Sequence, residues 1–326
     1  MKLNNFSPIG IDLMGSDFPP HEILTALFDF VLQEHKSYVF YCFGTKELLP
    51  AFQSLKQKFH PLSEGFHFVE ANEVVYMEDA PLTAIRKKKN SSMSAGFNYL
   101  KEGKIKALVS AGNTGALVAS AKHYLTLLAK VTRPALVAFL PTKKGLMATL
   151  DVGANVEVKA KNLVTFAKMG ATLQILQGIE KPLVGLLNIG REALKGTSEI
   201  QKAYQEMQKE NSFTFVGNIE GKEAFEGNVD VLVTDGFTGN VFLKTSEGTA
   251  SLFLDKFQNT IEETIFEDLR RHLHYSEYPG ALLLGCKGLV LKCHGYSDPK
   301  SFAKVVERAH TLVQQGFQEK WEKHFS

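Results

Sequence analysis

At 326 residues the chain is near the upper limit for one hydrophobic core, and it permits one large domain or two that share an interface. A hydrophobic content of 44%, a charged content of 22% and a formal charge of +2 exclude a disordered chain and give no global field that draws nucleic acid, so none is expected as a partner. No apolar run approaches the ~18 residues of a bilayer span.

Apolar, β-branched runs alternate with segments of helical periodicity, the pattern of βα units around a mainly parallel sheet. Ser7–Leu13 reads as a strand, and His21–Gln33 as a helix opened by Pro19–Pro20. Tyr38–Phe43 and Phe66–Glu70 read as strands, Met93–Glu102 as a helix, Ala107–Ser110 as a strand and Ala116–Ala129 as a helix. Leu136–Leu140 and Met147–Asp151 read as strands bracketing a turn at Lys143–Gly145, followed by a helix over Lys159–Leu173. Leu183–Asn188 is a strand, Thr197–Glu210 a polar helix, Val229–Thr234 a strand and Asn240–Phe257 a long helix. Ile261–His274 continues helically, Gly288–Lys292 is the last strand, and Asp298–Pro299 starts a closing helix through Trp321. The expected architecture is a single three-layer α/β/α unit, Rossmann-like, with a helical excursion near 255–275.

Four strand–loop–helix junctions share a chemistry: Asp12-Leu-Met-Gly-Ser-Asp17, Ser110-Ala-Gly-Asn-Thr-Gly115, Asp151-Val-Gly-Ala-Asn155 and Asp235-Gly-Phe-Thr-Gly-Asn240. In an open parallel sheet such loops emerge at the carboxyl ends of the strands, where ligands bind. Glycines (Gly15, Gly112, Gly115, Gly239) let backbone approach a ligand, and the free N–H groups of the following helix point at it. The hydroxyls of Ser110, Thr114 and Thr238 and the amides of Asn113, Asn155 and Asn240 suit an oxyanion or a phosphate. For any one loop the plain alternative is a turn, since Gly and Asn tolerate left-handed backbone. Neither a Walker loop nor GxGxxG is present, so nucleotide binding is not supported.

Positive charge comes from Arg86-Lys-Lys-Lys89, which is either a solvated face or a contact for phosphate or an acidic carrier, with Arg86 the best single candidate. Lys292 and His294 end the last strand at the same sheet edge; His294 is either an acid or donor or a packed structural histidine. Asp12, Asp17, Asp151 and Asp235 either hold a cation or orient their loops as Asx turns. No close acidic pair or His/Cys ligand spacing occurs, so neither metal nor cofactor is expected. Cys42, Cys286 and Cys293 cannot all pair, which fits a reducing compartment. Cys293 and His294 are strand neighbours whose side chains face opposite ways, which argues against a nucleophile–base pair. The N-terminus has no h-region, because Asp12 interrupts it, and a cytoplasmic protein is expected.

Together these blocks resemble the bacterial phosphate acyltransferases of phospholipid synthesis (acyl-ACP:phosphate acyltransferases). The similarity adds Ala84-Ile-Arg86, Ser91-Ser-Met93, Arg133-Pro-Ala-Leu136, Leu187-Asn-Ile-Gly190, Lys244, Gly280-Ala-Leu-Leu-Leu-Gly285 and Lys292-Cys-His-Gly295, in order along nearly the whole chain. Ser16 stands where the family usually has a second glycine, and Cys293 where serine is common. The segment after Asp255 is more acidic (Glu262, Glu263, Glu267, Asp268) than the apolar-basic hairpin that many relatives use at the membrane.

The resemblance implies a fold similar to isocitrate and isopropylmalate dehydrogenases and to phosphotransacetylase, a homodimer, acyl carrier protein as acyl donor and inorganic phosphate as acceptor. The acyl phosphate product would feed a membrane glycerol-3-phosphate acyltransferase, with peripheral membrane association. Phosphate is already nucleophilic and a thiolate leaves readily, so the demand is for positioning and oxyanion stabilisation. Asn113 and Asn240 are candidate donors, each worth ~3 kcal/mol on the barrier by analogy with oxyanion holes. Arg86, Lys244 or Lys292 could neutralise phosphate, and His294 could protonate the departing sulfur. Rivals are a short-chain phosphotransacetylase, a β-decarboxylating dehydrogenase and a non-catalytic scaffold for the carrier protein.

Overall fold

The computed structural model describes residues 7–34, 38–273, 279–293 and 298–325. In chain order the elements are β1 (Ile9–Asp12), α1 (Pro20–Glu34), β2 (Phe40–Gly44), α2 (Leu49–Lys58), β3 (Phe66–Glu70), α3 (Pro81–Lys87), α4 (Ser92–Lys101), β4 (Ala107–Ser110) and α5 (Thr114–Tyr124). There follow β5 (Ala135–Thr142), β6 (Gly145–Leu150), α6 (Ala160–Leu176), β7 (Leu183–Leu187), α7 (Ser198–Met207), β8 (Thr214–Ile219), α8 (Gly221–Ala224) and β9 (Val231–Val233). The rest are α9 (Gly236–Phe257), α10 (Glu263–Leu273), β10 (Ala281–Leu284), β11 (Leu289–Lys292), α11 (Pro299–Gln314) and α12 (Phe317–Phe325).

The chain divides into two compact units, one formed by 1–127 with 279–319 and the other by 128–278 with 320–326. In the first, the strands run β3-β2-β1-β4-β11-β10, all parallel neighbours except the antiparallel β10–β11 pair. In the second, the order is β5-β6-β9-β7-β8, again parallel except for the β5–β6 hairpin. The expected α/β class with a mainly parallel sheet is what the structure shows. Among the described residues no helix is long and apolar enough to cross a membrane.

The apolar spacing of α1 places Ile23, Leu24, Leu27, Phe28 and Val31 on one buried stripe. Phe28 stacks on Phe66 at 4.2 Å between centroids, and Phe66 meets Phe40 edge-on, so α1 is sealed onto β2 and β3. α11 packs beside α1 and against β1, β4 and β11, whereas α4 packs on β1, β2 and β4 and carries α5 alongside. Buried aromatic and aliphatic area of this kind contributes roughly 25 cal/mol per Å². It is what holds the strand ends rigid.

Several element boundaries differ from expectation for local reasons. α9 begins at Gly236, four residues early, because Asp235 caps it by accepting the Thr238 N–H at 2.8 Å. α5 stops at Tyr124 because Leu125 turns extended and Leu127 bridges to Cys286. The closing helix splits because Gly316 is left-handed, with φ +64°. β8 escaped the sequence reading: it carries Gly217, and its register against β7 shifts between Val184 and Gly185. The short elements α2, α3, α8 and β10 were also not anticipated.

Candidate active site

Strand register builds the first cluster. Asp12 pairs with Ser110, and Ser110 pairs with Lys292, so three adjacent parallel strands end in line on three polar side chains. All three are buried. Ser110 Oγ donates to Asp12 Oδ2 at 2.8 Å and accepts the Gly112 N–H at 3.1 Å. Met14 N–H donates to Asp12 Oδ1 at 3.3 Å. Burial raises the Asp12 pKa; the hydroxyls of Ser92 and Ser110, the Met14 N–H and the Lys292 charge oppose that rise. Lys292 Nζ donates to the carbonyls of Ala111 (3.3 Å) and Cys293. Its charge therefore sits beneath the start of α5 rather than in solvent.

Asn113 caps α5: its Oδ1 accepts the Ala116 N–H at 2.9 Å. Its Nδ2 donates to the carbonyls of Met77 (2.8 Å), Asp79 (3.0 Å) and Tyr76 (3.4 Å). The amide is thus committed to holding the 74–79 strap. The N–H groups of Asn113, Thr114 and Gly115 have no partner among the described residues, and neither does the Thr114 hydroxyl. Three successive free donors at a helix N-terminus form a site for an anion. Gly15 lies behind this array with φ +76°, where a Cβ would stand 2.4 Å from the Val75 carbonyl oxygen. Only glycine fits there without moving the strap.

The second cluster, in the other unit, is built differently. Asp151 is fully buried and accepts from Leu136 N (3.1 Å), Gly153 N (3.2 Å), Ala154 N (2.9 Å), Asn155 N (2.7 Å) and Asn155 Nδ2 (2.8 Å). Its own carboxylate fills the cradle that the loop N–H groups form. Burial pushes its pKa up to about 6, and the donors oppose that rise. Asn155 also donates to the Pro134 carbonyl at 2.8 Å, accepts from Arg133 at 3.4 Å and takes the Gly236 N–H on its main-chain oxygen at 2.8 Å. Asp151 and Asn155 therefore fix the start of α9. Gly239 rests on the same loop, where a Cβ would sit 2.0 Å from the Asp151 carbonyl oxygen.

Asp235 is occupied by capping, accepting the Thr238 N–H and, at 2.9 Å, the Thr238 hydroxyl. Asn240 is half-buried, its side chain lies against Gly153, and its amide has no partner among the described residues. Lys244 follows one turn later on α9 and is exposed, as are Asp17 and Arg86 in the other unit. His294 and Gly295 lie outside the described residues. Among the described residues no group of three or more His, Cys, Asp or Glu side chains gathers to hold a metal ion. Cys42, Cys286 and Cys293 are buried thiols, and burial pushes the Cys42 thiol up to about 12.

The four glycine loops thus divide into two kinds. One presents free donors around a buried lysine, and one is a self-satisfied scaffold beneath a helix start. The sequence missed the strap 74–79, which belongs to no periodic segment or motif, and it placed Ser92 in the block Ser91-Ser-Met93 without seeing its bond to Asp12.

An α/β fold with free backbone donors at its strand ends defines a protein built to hold an anionic ligand there. The sequence profile described as fatty acid synthesis protein matches residues 8–320. A phosphate acyltransferase from Chlamydia abortus is 42% identical over 310 residues, 94% of this chain and 95% of that protein. A phosphotransacetylase structure from Streptococcus pyogenes superposes with a TM-score of 0.61 at 15% identity, covering 96% of this chain and 95% of that one. The structure of a putative 4-hydroxythreonine-4-phosphate dehydrogenase from Salmonella typhimurium gives a TM-score of 0.53 at 13% identity, covering 94% of this chain and 100% of that one. These two structures share the fold. The chain belongs to the phosphate acyltransferase family and is an acyltransferase.

Proposed function

We propose that the protein transfers a fatty acyl group from acyl carrier protein to inorganic phosphate, releasing the carrier thiol and an acyl phosphate for phospholipid synthesis. The observation that carries this reading is the row of three free N–H groups at Asn113, Thr114 and Gly115, with the buried Lys292 ammonium beneath the same loop. In this reading that row, with the Thr114 hydroxyl, holds the phosphate. A phosphate oxygen attacks the thioester carbonyl, the C–S bond breaks, and the thiolate leaves with a proton from solvent or from His294. Asn240 is kept as a candidate oxyanion donor from the sequence reading, its amide having no partner among the described residues. Asn113, which the sequence made a candidate oxyanion donor, is assigned a positioning role because its amide is already used. Asp12, Gly15, Ser110 and Gly112 shape the phosphate loop, while Asp151, Asn155, Asp235 and Gly239 shape the start of α9. Exposed Arg86, Asp17, Thr238 and Lys244 remain candidates for substrate or phosphate binding.

Incubating the protein with a long-chain acyl carrier protein and phosphate, and trapping the product with hydroxylamine, tests the reaction. Phosphate-dependent hydroxamate is the expected result. Product from acetyl-CoA but none from the long-chain carrier thioester would move the substrate to short acyl groups. Asn240→Ala is expected to lower kcat about 100-fold with little change in the KM for phosphate; an unchanged kcat would remove its assigned role.

The homodimer belongs to the same proposal and is supported by α9. Of its 22 residues only Gly236, Gly239, Leu243 and Leu254 are buried, while Phe237, Val241, Leu252 and Phe253 are exposed. An apolar helix face of this kind marks an interaction surface. Delivery of an acyl phosphate to a membrane glycerol-3-phosphate acyltransferase, with peripheral association at the membrane, completes the proposed role.

A further inference from the structure

The basic run Arg86-Lys-Lys-Lys89 is sorted by the fold into one inward cation and three outward ones. Lys88 Nζ donates to the Val74 carbonyl at 2.8 Å, pairs with Asp79 and lies 4.8 Å from the Tyr76 ring centroid. This pairing holds the Asp79 carboxyl below the usual carboxylate range. Arg86, Lys87 and Lys89 are exposed, and their side chains make no hydrogen bond or ion pair among the described residues. Beside them stand three exposed apolar side chains, Leu82 at 67%, Tyr76 at 52% and Met77 at 37%. On α3, Leu82 and Arg86 are four residues apart and share a face. The exposed acid of the strap, Glu78, is outnumbered three to one by these cations.

We propose that this face of residues 76–89 is where the acidic carrier protein docks; the inference rests on the reading of an acyl carrier protein as donor and adds where it binds. A patch that combines large apolar side chains with uncompensated cations suits a small acidic protein that presents an apolar ridge. The cations steer the encounter, and Leu82, Tyr76 and Met77 supply the contact that desolvates. The patch is also wired to the anion site. Asn113 clamps the carbonyls of Tyr76, Met77 and Asp79 with the same side chain that caps α5. A carrier seated on the strap is thereby held in fixed register with the free N–H groups of Asn113, Thr114 and Gly115.

The test uses Lys87→Glu with Lys89→Glu, and Leu82→Asp as an independent variant, none of which touches the proposed phosphate loop. Binding of the unacylated carrier protein at low salt is expected to weaken about tenfold in each variant, with a shallower salt dependence in the charge-reversal one. The KM for the acylated carrier should rise to a similar extent, while kcat at saturation and turnover of a long-chain acyl-CoA stay within about twofold. Unchanged carrier affinity would overturn the proposal. So would loss of binding to vesicles of anionic phospholipid with carrier affinity intact, because that assigns the patch to a lipid surface. If the wild-type protein makes no acyl phosphate from either donor, the reaction assignment fails on its own. The docking surface is still decided by the affinity for the unacylated carrier.

Discussion

Replacing Asn113 with alanine is expected to cost about 3 kcal/mol of stability and to lower kcat/KM about 100-fold. The stability part follows from what one carboxamide does. Its oxygen caps α5 through the Ala116 N–H, and such caps are worth about 1 kcal/mol. Its nitrogen serves three carbonyls of the strap, at ~1 kcal/mol for each well-formed bond, and the longest, to Tyr76 at 3.4 Å, contributes least. The activity part follows from position. The same residue carries the first of the three free N–H groups, so a strap that moves by a fraction of an ångström carries the anion site with it. Asn113→Asp separates the two roles: it keeps a cap oxygen but turns a second oxygen towards three carbonyls. The aspartate variant is therefore expected to lose more strap order than the alanine variant while retaining helix α5. Urea unfolding of both variants, together with phosphate KM and kcat, measures this. Wild-type turnover in Asn113→Ala would show that the strap does not position the reaction.

Much of this arrangement was legible from residues alone, and the reasons are local. Short apolar runs such as Ala107–Ser110 and Leu183–Leu187, separated by helical segments, read as strands of a mainly parallel sheet, so the α/β class followed directly. The Asp-Gly and Gly-Asn signatures located the loops, because a strand-to-helix turn that brings backbone close to a ligand requires those residues. What each loop does was not legible. Asp12, Asp151 and Asp235 look alike in sequence, yet one is bonded to a serine hydroxyl on the adjacent strand, one fills its own loop and one caps a helix. The difference lies in strand register and in residues 15 to 98 positions away, such as Leu136 for Asp151 and Ser110 for Asp12. Asn113 and Asn240 were also equivalent on paper. Only the fold shows that the first amide is spent on the 74–79 strap, a segment with no periodicity to announce it.

Asp151→Ala is expected to be the most destabilising single change, at about 4–5 kcal/mol. Four backbone N–H groups would lose their acceptor and the Asn155 amide would keep only the Pro134 carbonyl, and each such loss costs roughly 1–3 kcal/mol before relaxation. The damage should reach α9, because Asn155 holds the Gly236 N–H and Gly239 rests on the Asp151 carbonyl oxygen. Asn240 would then lose its place beside Gly153. The isosteric Asp151→Asn variant removes the titration, although its NH2 also replaces one of the two oxygens that accept from the loop, a loss that does not vary with pH. With its pKa raised from 3.8 to about 6 by burial, Asp151 binds its proton more tightly in the folded state than in the unfolded chain. The sign is therefore opposite to that of a salt-bridged carboxylate. Its contribution to stability is greatest below about pH 4, is lost as pH rises through about 6, and is flat above, a difference of ~3 kcal/mol. Urea unfolding at pH 4 and pH 8 should show wild type losing ~3 kcal/mol relative to Asp151→Asn across that interval. A difference between the two proteins that does not change with pH would mean that the five donors offset burial, leaving Asp151 with the pKa it has in the unfolded chain.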